Sequence, residues 1–266
     1  MPLCETGAMS TTAPHSPGRS SRGGRAVRVI LAVLVVLALI VVGFLVWAKT
    51  VMQGERPASL EAWTDDRVSI ESFDDSIVMT PVDDASDRGL VFIPGARVDP
   101  YAYMAKLVDA VAETGTTVVI TKPILNLAFF DQRPLATFTG HAPEVSDWYI
   151  GGHSLGGVRA CMMATEEDVA GVVFFGSYCA NDLSGSGLAA LSISGSEDGL
   201  STPGKIDGAA HLLPEDATFV EIEGANHASF GDYGVQPGDG VATAPDHEVR
   251  DEITRALAEF WDAPEE

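Results

Sequence analysis

Basic residues are scarce in this chain: 16 Lys and Arg stand against 38 Asp and Glu over 266 residues, a formal net charge of −22. Such a surface repels nucleic acid and anionic headgroups, so no nucleic-acid partner is expected. The plain reading of the excess acid is a solvated surface that keeps the protein soluble. Cysteine is scarcer still, at Cys4, Cys161 and Cys179. None stands at metal-ligand spacing with a histidine, so a structural zinc site is not supported. Internal repeats are absent. What the chain has in quantity is apolar: 46% of residues are hydrophobic, enough for a sizeable core and too many for a largely disordered protein.

One segment takes a large share of that content. From Val29 to Ala48 the run VILAVLVVLALIVVGFLVWA holds twenty residues without a charge. At 1.5 Å per residue a helix of that length spans about 30 Å, the hydrocarbon thickness of a bilayer. Arg19, Arg22, Arg25 and Arg28 precede it and only Lys49 follows at once. The positive-inside tendency then keeps the N-terminus in the cytoplasm and exports everything after Lys49. A cleaved signal peptide is the competing reading, because Val46-Trp47-Ala48 loosely resembles a cleavage site. The run exceeds the 7–15 apolar residues usual in signal peptides, and Trp47 suits a membrane interface, so an uncleaved anchor is favoured.

The expected organisation is a disordered basic cytoplasmic tail over 1–26, a transmembrane signal anchor over 27–49, a linker over 50–65, and one large folded domain over 66–266. Five of the basic residues and one of the acidic ones fall in 1–49, which leaves 11 against 37 and a formal charge of −26 outside. Export permits a Cys161–Cys179 bridge, but two buried free thiols are the simpler reading for a large core and are the expectation.

Beyond the linker, apolar runs alternate with helical patterns. Short β-prone stretches at 67–73 and 76–81 open the series as a hairpin or meander. Continuous apolar runs at 89–95, 116–123, 148–152, 169–177, 188–196 and 218–224 read as strands, most of them buried on both faces. Between them the spacing predicts helices over 100–115, 155–165 and 203–212, a less regular one within 126–138, and a last one over 246–261. This rhythm predicts an α/β fold with a mostly parallel sheet covered on both faces, where ligands bind at the carboxyl ends of the strands.

At one such end the sequence reads Tyr149-Ile-Gly-Gly-His-Ser-Leu-Gly-Gly157. Gly152-His-Ser-Leu-Gly156 fits the G-x-S-x-G pattern of a sharp strand-to-helix turn that exposes a nucleophilic serine. Ser154 is therefore the candidate nucleophile, and the Leu155 N–H at the helix start is the expected oxyanion donor. A serine needs a base oriented by a third group. One arrangement of this machinery runs Ser, then Asp or Glu, then His. After the strand at 188–196 come Glu197 and Asp198, with Asp198 preferred as the acid. After the strand at 218–224 comes His227, the candidate base. Of the other histidines, His15 lies in the tail, His141 and His211 precede the required position, His247 opens the last helix, and His153 is expected to point elsewhere along the turn. The second oxyanion donor belongs in the loop after the strand at 89–95, where the Ala96 N–H is the candidate. Arg97 either binds a substrate carboxylate or pairs with Asp99.

These residues carry a resemblance. From about 88 to 250 the chain resembles the α/β-hydrolase superfamily, and within it a small bacterial and plant group of dienelactone-hydrolase-like proteins. The stretches PGARVDPYAYMAKL, VVITKPILNLAFF, YIGGHSLGG, SISGSEDGL and GANHASFGDYGVQPGDG carry the likeness, the last one most specifically. The resemblance implies an α/β-hydrolase fold with Ser154 as nucleophile, Asp198 as acid and His227 as base. It departs from dienelactone hydrolases proper, whose nucleophile is usually cysteine, and it lacks the His-Gly-Gly oxyanion motif of many lipases. Only residues 178–188 separate two strands where lipases insert a lid, so little or no lid is expected. The sequence-level reading is a membrane-anchored serine hydrolase of small ester-like substrates. It contacts the bilayer through residues 29–48 and requires no metal or organic cofactor. The rivals are a peptidase or acyltransferase on the same fold and a catalytically silent binding ectodomain.

Overall fold

A computed structural model describes residues 22–262. The chain divides into two compact units, one ending at Leu45 and one running from Val46 onward. The described part of the first unit is helical and belongs to α1 (Arg22–Lys49). From Gly24 to Lys49 this helix is long and apolar enough to cross a membrane, with a mean hydropathy of 3.5 in its most apolar window and no burial there. The tail expected over 1–26 falls mostly on residues 1–21, outside the described residues together with Cys4 and His15. Its last five residues are already helical, which corrects that boundary.

The linker expected over 50–65 is instead built into the second unit. The Met52 N–H donates to the Arg97 carbonyl at 2.7 Å, the Asp99 N–H donates back to the Met52 carbonyl at 2.9 Å, and the Glu55 N–H reaches the Asp232 carbonyl at 2.6 Å. Helix α2 (Arg56–Trp63), with Pro57 in its first turn, then buries Ala62 completely. Proline fits there because the first-turn N–H groups have no intrahelical partner to lose.

The rest is one eight-stranded sheet of β1 (Val68–Ser72), β2 (Ser76–Pro81), β3 (Arg88–Ile93), β4 (Thr117–Thr121), β5 (Asp147–His153), β6 (Gly171–Phe175), β7 (Ala189–Gly195) and β8 (Thr218–Ile222). Its order is β1-β2-β4-β3-β5-β6-β7-β8. The β1–β2 and β2–β4 pairs are antiparallel and the remaining pairs parallel. The apolar runs are continuous because alternate side chains enter two cores. Leu90 and Phe92 of β3 join one with α3 (Met104–Thr114) and α7 (Asp246–Asp262), while Val91 and Ile93 join the other with α4 (Ala136–Thr139) and α5 (Leu155–Ala164). Each such fully buried aliphatic or aromatic side chain stabilises the fold by about 1.5–3 kcal/mol. Helix α6 (Pro203–Ala209) follows β7.

Two expectations change. The irregular helix within 126–138 reduces to two single turns, Ile124–Asn126 and Ala128–Phe130, and the one-turn α4. Leu125 and Asn126 are left-handed (φ 58° and 55°), which no continuing helix allows. Asp131 also accepts the Arg133 N–H and guanidinium and holds a tight turn before Pro134. Cys161 and Cys179 are bonded rather than free. Cys161 on α5 and Cys179 in the loop after β6 lie with Cα atoms 5.3 Å apart, both buried, and form a disulfide. The loop over 176–188 contains no helix or strand, so the expected absence of a lid holds.

Candidate active site

The β5–α5 turn is tight because the chain cannot pass it otherwise. A Cβ at Gly152 or at Gly156 would overlap the Ile93 carbonyl at the end of β3, so the two outer residues of G-x-S-x-G must be glycine. Ser154 between them has φ 52° and ψ −122°, an unfavourable region for a residue with a side chain. The Ser154 N–H donates to the Phe175 carbonyl at 3.1 Å, and the Ser177 hydroxyl donates to the Ser154 carbonyl at 2.7 Å. Both bonds come from β6 and the residues just after it, and they hold the strained residue in place.

Asp198 follows β7 and is buried, whereas Glu197 is exposed. Asp198 Oδ1 accepts the N–H groups of Leu200 and Ser201 at 2.8 and 2.7 Å, and Oδ2 lies 2.8 Å from His227 Nδ1. The Nδ1–H donates in that pair, which leaves the Nε2 lone pair of His227 as the basic site. Nε2 is buried and has no hydrogen-bond partner among the described residues. Ser154 and His227 are not bonded directly among the described residues; such contacts tighten in substrate complexes.

Against His227 stands His153, fully buried, its ring centroid 4.5 Å from that of His227. The Gly95 N–H donates to the Tyr103 hydroxyl at 2.9 Å, and that hydroxyl lies 3.0 Å from His153 Nδ1, to which it is free to donate. Burial, reinforced by the nearby His227 charge, pushes the His153 pKa well below the usual histidine value. His153 therefore stays neutral and does not compete as the base. It points into the core rather than merely elsewhere along the turn.

The Leu155 N–H opens α5, and the Ala96 N–H lies just past β3. Neither has an acceptor among the described residues. The strands they follow are neighbours, with Ile93 of β3 opposite Gly152 of β5. Two free donors at adjacent strand ends are the elements from which an oxyanion site is made. Arg97 is engaged elsewhere: its guanidinium donates to the Thr50 carbonyl and lies 4.6 Å from the Trp47 ring centre. Asp99 is not its partner but caps the next turn, accepting the Tyr101 N–H at 3.2 Å.

Asp239 was not singled out from the sequence. Its Oδ1 accepts the N–H groups of Gly199, His227 and Gly240 at 3.0, 3.1 and 2.7 Å, and its Oδ2 that of Ala228 at 2.9 Å. One carboxylate thus ties the loop bearing Asp198 to the loop bearing His227. The signal was present, because GANHASFGDYGVQPGDG extends well past the histidine and ends on Gly238-Asp239-Gly240. No group of three or more His, Cys, Asp or Glu among the described residues is arranged to hold a metal ion.

A mostly parallel sheet of this order, with a strained serine after its central strand and a bonded Asp–His pair after two later strands, is a hydrolase scaffold. The profile of the alpha/beta hydrolase family matches residues 89–251, and the chain belongs to that family. Its structure is similar to the esterase domain of a Rhodothermus marinus protein (TM-score 0.54, 14% identity, 73% of this chain and 97% of that one). It is similar to a hyperthermophilic esterase from the archaeon Pyrobaculum calidifontis (TM-score 0.53, 15% identity, 77% and 88%). A lidless α/β serine hydrolase from Xanthomonas campestris aligns comparably (TM-score 0.52, 14% identity, 75% and 98%). No curated protein matches the sequence significantly.

Proposed function

We propose that this protein is a membrane-anchored serine hydrolase that cleaves carboxylic ester bonds, or the related thioester and lactone bonds, through an acyl-enzyme on Ser154. The observation that carries the reading is the Asp198–His227 bond at 2.8 Å in the same strand-end cluster as a serine held at φ 52°. His227 Nε2 takes the Ser154 proton as the hydroxyl attacks the acyl carbon. The Leu155 and Ala96 N–H groups receive the developing oxyanion, and Asp198 stabilises the imidazolium. His227 then returns the proton to the leaving alcohol. Water, activated by the same imidazole, releases the acid and restores Ser154. The two esterase-named neighbours support the ester preference by analogy of fold.

The anchor reading is supported by the length and apolarity of α1 and by the arginines that precede its apolar run. The buried Cys161–Cys179 disulfide supports an oxidising compartment for the catalytic unit, hence an extracytoplasmic one. Labelling with a fluorophosphonate, followed by turnover of a panel of esters, thioesters and amides, tests the proposal. Wild type is expected to label and to hydrolyse esters, and Ser154→Ala to do neither. A folded wild-type protein that takes no label would favour a silent binding ectodomain.

A further inference from the structure

The chain that leaves the apolar run does not swing free. Asn126 Nδ2 donates to the Ala48 carbonyl at 2.9 Å, and Arg97 Nε donates to the Thr50 carbonyl at 2.9 Å. The Arg97 guanidinium covers Trp47, and the Arg97 N–H donates to the Asn126 carbonyl at 2.8 Å. Two residues later Met52 pairs with Val98. The two gripping residues, Arg97 and Asn126, and Leu125 beside Asn126 are left-handed, with φ between 55° and 58°. Left-handed backbone at residues other than glycine persists only where surrounding contacts hold it, and such strain gathers at functional positions. Here it grips the last residues of the apolar segment and the first ones after it. Arg97 directly follows Ala96, the candidate oxyanion donor.

Around that grip the rim is apolar. Ile124, Phe129 and Phe130 in the loop after β4 are 49%, 41% and 51% exposed, and Trp47 is 48% exposed. Several exposed apolar side chains in one short loop of an otherwise strongly acidic domain mark a contact surface.

We infer that the active-site rim is held at the bilayer surface and that the substrate is an amphiphilic ester drawn from the bilayer, with its acyl chain in the lipid. The inference rests on reading α1 as an anchor and the site as a hydrolase. The apolar run ends at Ala48, and the grip begins at Trp47, so no free linker follows the run before the contacts with Arg97 and Asn126. Ile124 and Phe129 then enter the interfacial region, where apolar side chains gain the free energy that water denies them. The acidity of the domain opposes anionic headgroups and suits a zwitterionic surface.

The test uses the full chain in phosphatidylcholine vesicles and two esters with one leaving group, p-nitrophenyl palmitate held in the bilayer and p-nitrophenyl acetate in water. For the double variant Ile124→Ser/Phe129→Ser, palmitate turnover is expected to fall about tenfold or more, the factor that losing such partial burial implies. Acetate turnover, which reports folding and chemistry, is expected to stay at the wild-type level. Equal loss on both esters, no loss on either, or a wild type that turns over only acetate overturns the inference. Wild type inactive on both esters overturns the hydrolase reading, and release of the chain by an alkaline wash overturns the anchor, so each failure is distinguishable.

Discussion

Replacing Asp239 by asparagine tests how the site is held together. The carboxylate accepts four backbone N–H groups, three on Oδ1 and one on Oδ2. The asparagine amide keeps one oxygen. Turned to keep the three bonds to Gly199, His227 and Gly240, it presents its NH2 to the Ala228 N–H, donor against donor. A bond to a charged acceptor contributes about 1.5–3 kcal/mol, and an unmet buried donor costs about 1–3 kcal/mol. Asp239 is only half-buried, so the lower ends apply and the sum is about 2–3 kcal/mol. For a domain of this size that loss lowers Tm by roughly 4–12 °C. Part of it appears as looser placement of Asp198 and His227, and a displacement of about 1 Å at a reacting group costs roughly 100-fold. In p-nitrophenyl acetate hydrolysis, Asp239→Asn is therefore expected to lower kcat about 10- to 100-fold with little change in KM. Asp182→Asn is the control, since that aspartate caps only Ser184 on the surface. A folded Asp239→Asn enzyme with wild-type kcat would refute the reasoning.

Other outcomes follow from the same structure. The Cys161–Cys179 bridge closes a separation of 18 residues, worth about 3 kcal/mol by loop-closure entropy, so Cys161→Ser/Cys179→Ser should lower Tm by roughly 6–12 °C in a calorimetric scan without changing kcat at 25 °C. Burial, with the Asp246 carboxylate nearby, raises the Asp232 pKa to about 6 although Lys106 Nζ lies 3.0 Å away. The folded chain thus keeps a proton that the unfolded chain releases near pH 4, so this group's contribution is full below about pH 4 and is lost as pH rises through 6. Urea midpoints between pH 4 and 7 should carry that slope in wild type, and Asp232→Asn should flatten it. Arg159 is buried and has no hydrogen-bond or acidic partner among the described residues, so Arg159→Met is expected to leave the urea midpoint unchanged or to raise it.

The fold was readable where burial imposes a pattern. The runs at 89–95, 116–123 and 169–177 are apolar throughout because each strand feeds two cores, and that leaves a strong mark in the sequence. The serine turn was readable because two glycines are forced by the Ile93 carbonyl, and the Asp198–His227 pair because both follow strands in the expected order. Residues 50–65 were not readable as part of the domain, since they dock through backbone bonds at Met52 and Glu55, which leave no trace in composition. The same holds for Arg97, whose partner is a carbonyl 47 residues earlier. Proximity of Cys161 and Cys179 depends on how α5 and the loop after β6 pack, which spacing alone does not determine. Asp239 escaped notice because a carboxylate that binds only backbone N–H groups needs no partner side chain of its own.

The central claim is a covalent acyl-enzyme on Ser154, and rapid quenching of the wild-type enzyme during p-nitrophenyl acetate turnover, followed by peptide mass analysis, tests it most directly. The account predicts one acetyl group on the peptide that contains Ser154 and none in Ser154→Ala. Turnover that proceeds undiminished in Ser154→Ala, or an acetyl group carried on any other residue, would contradict it.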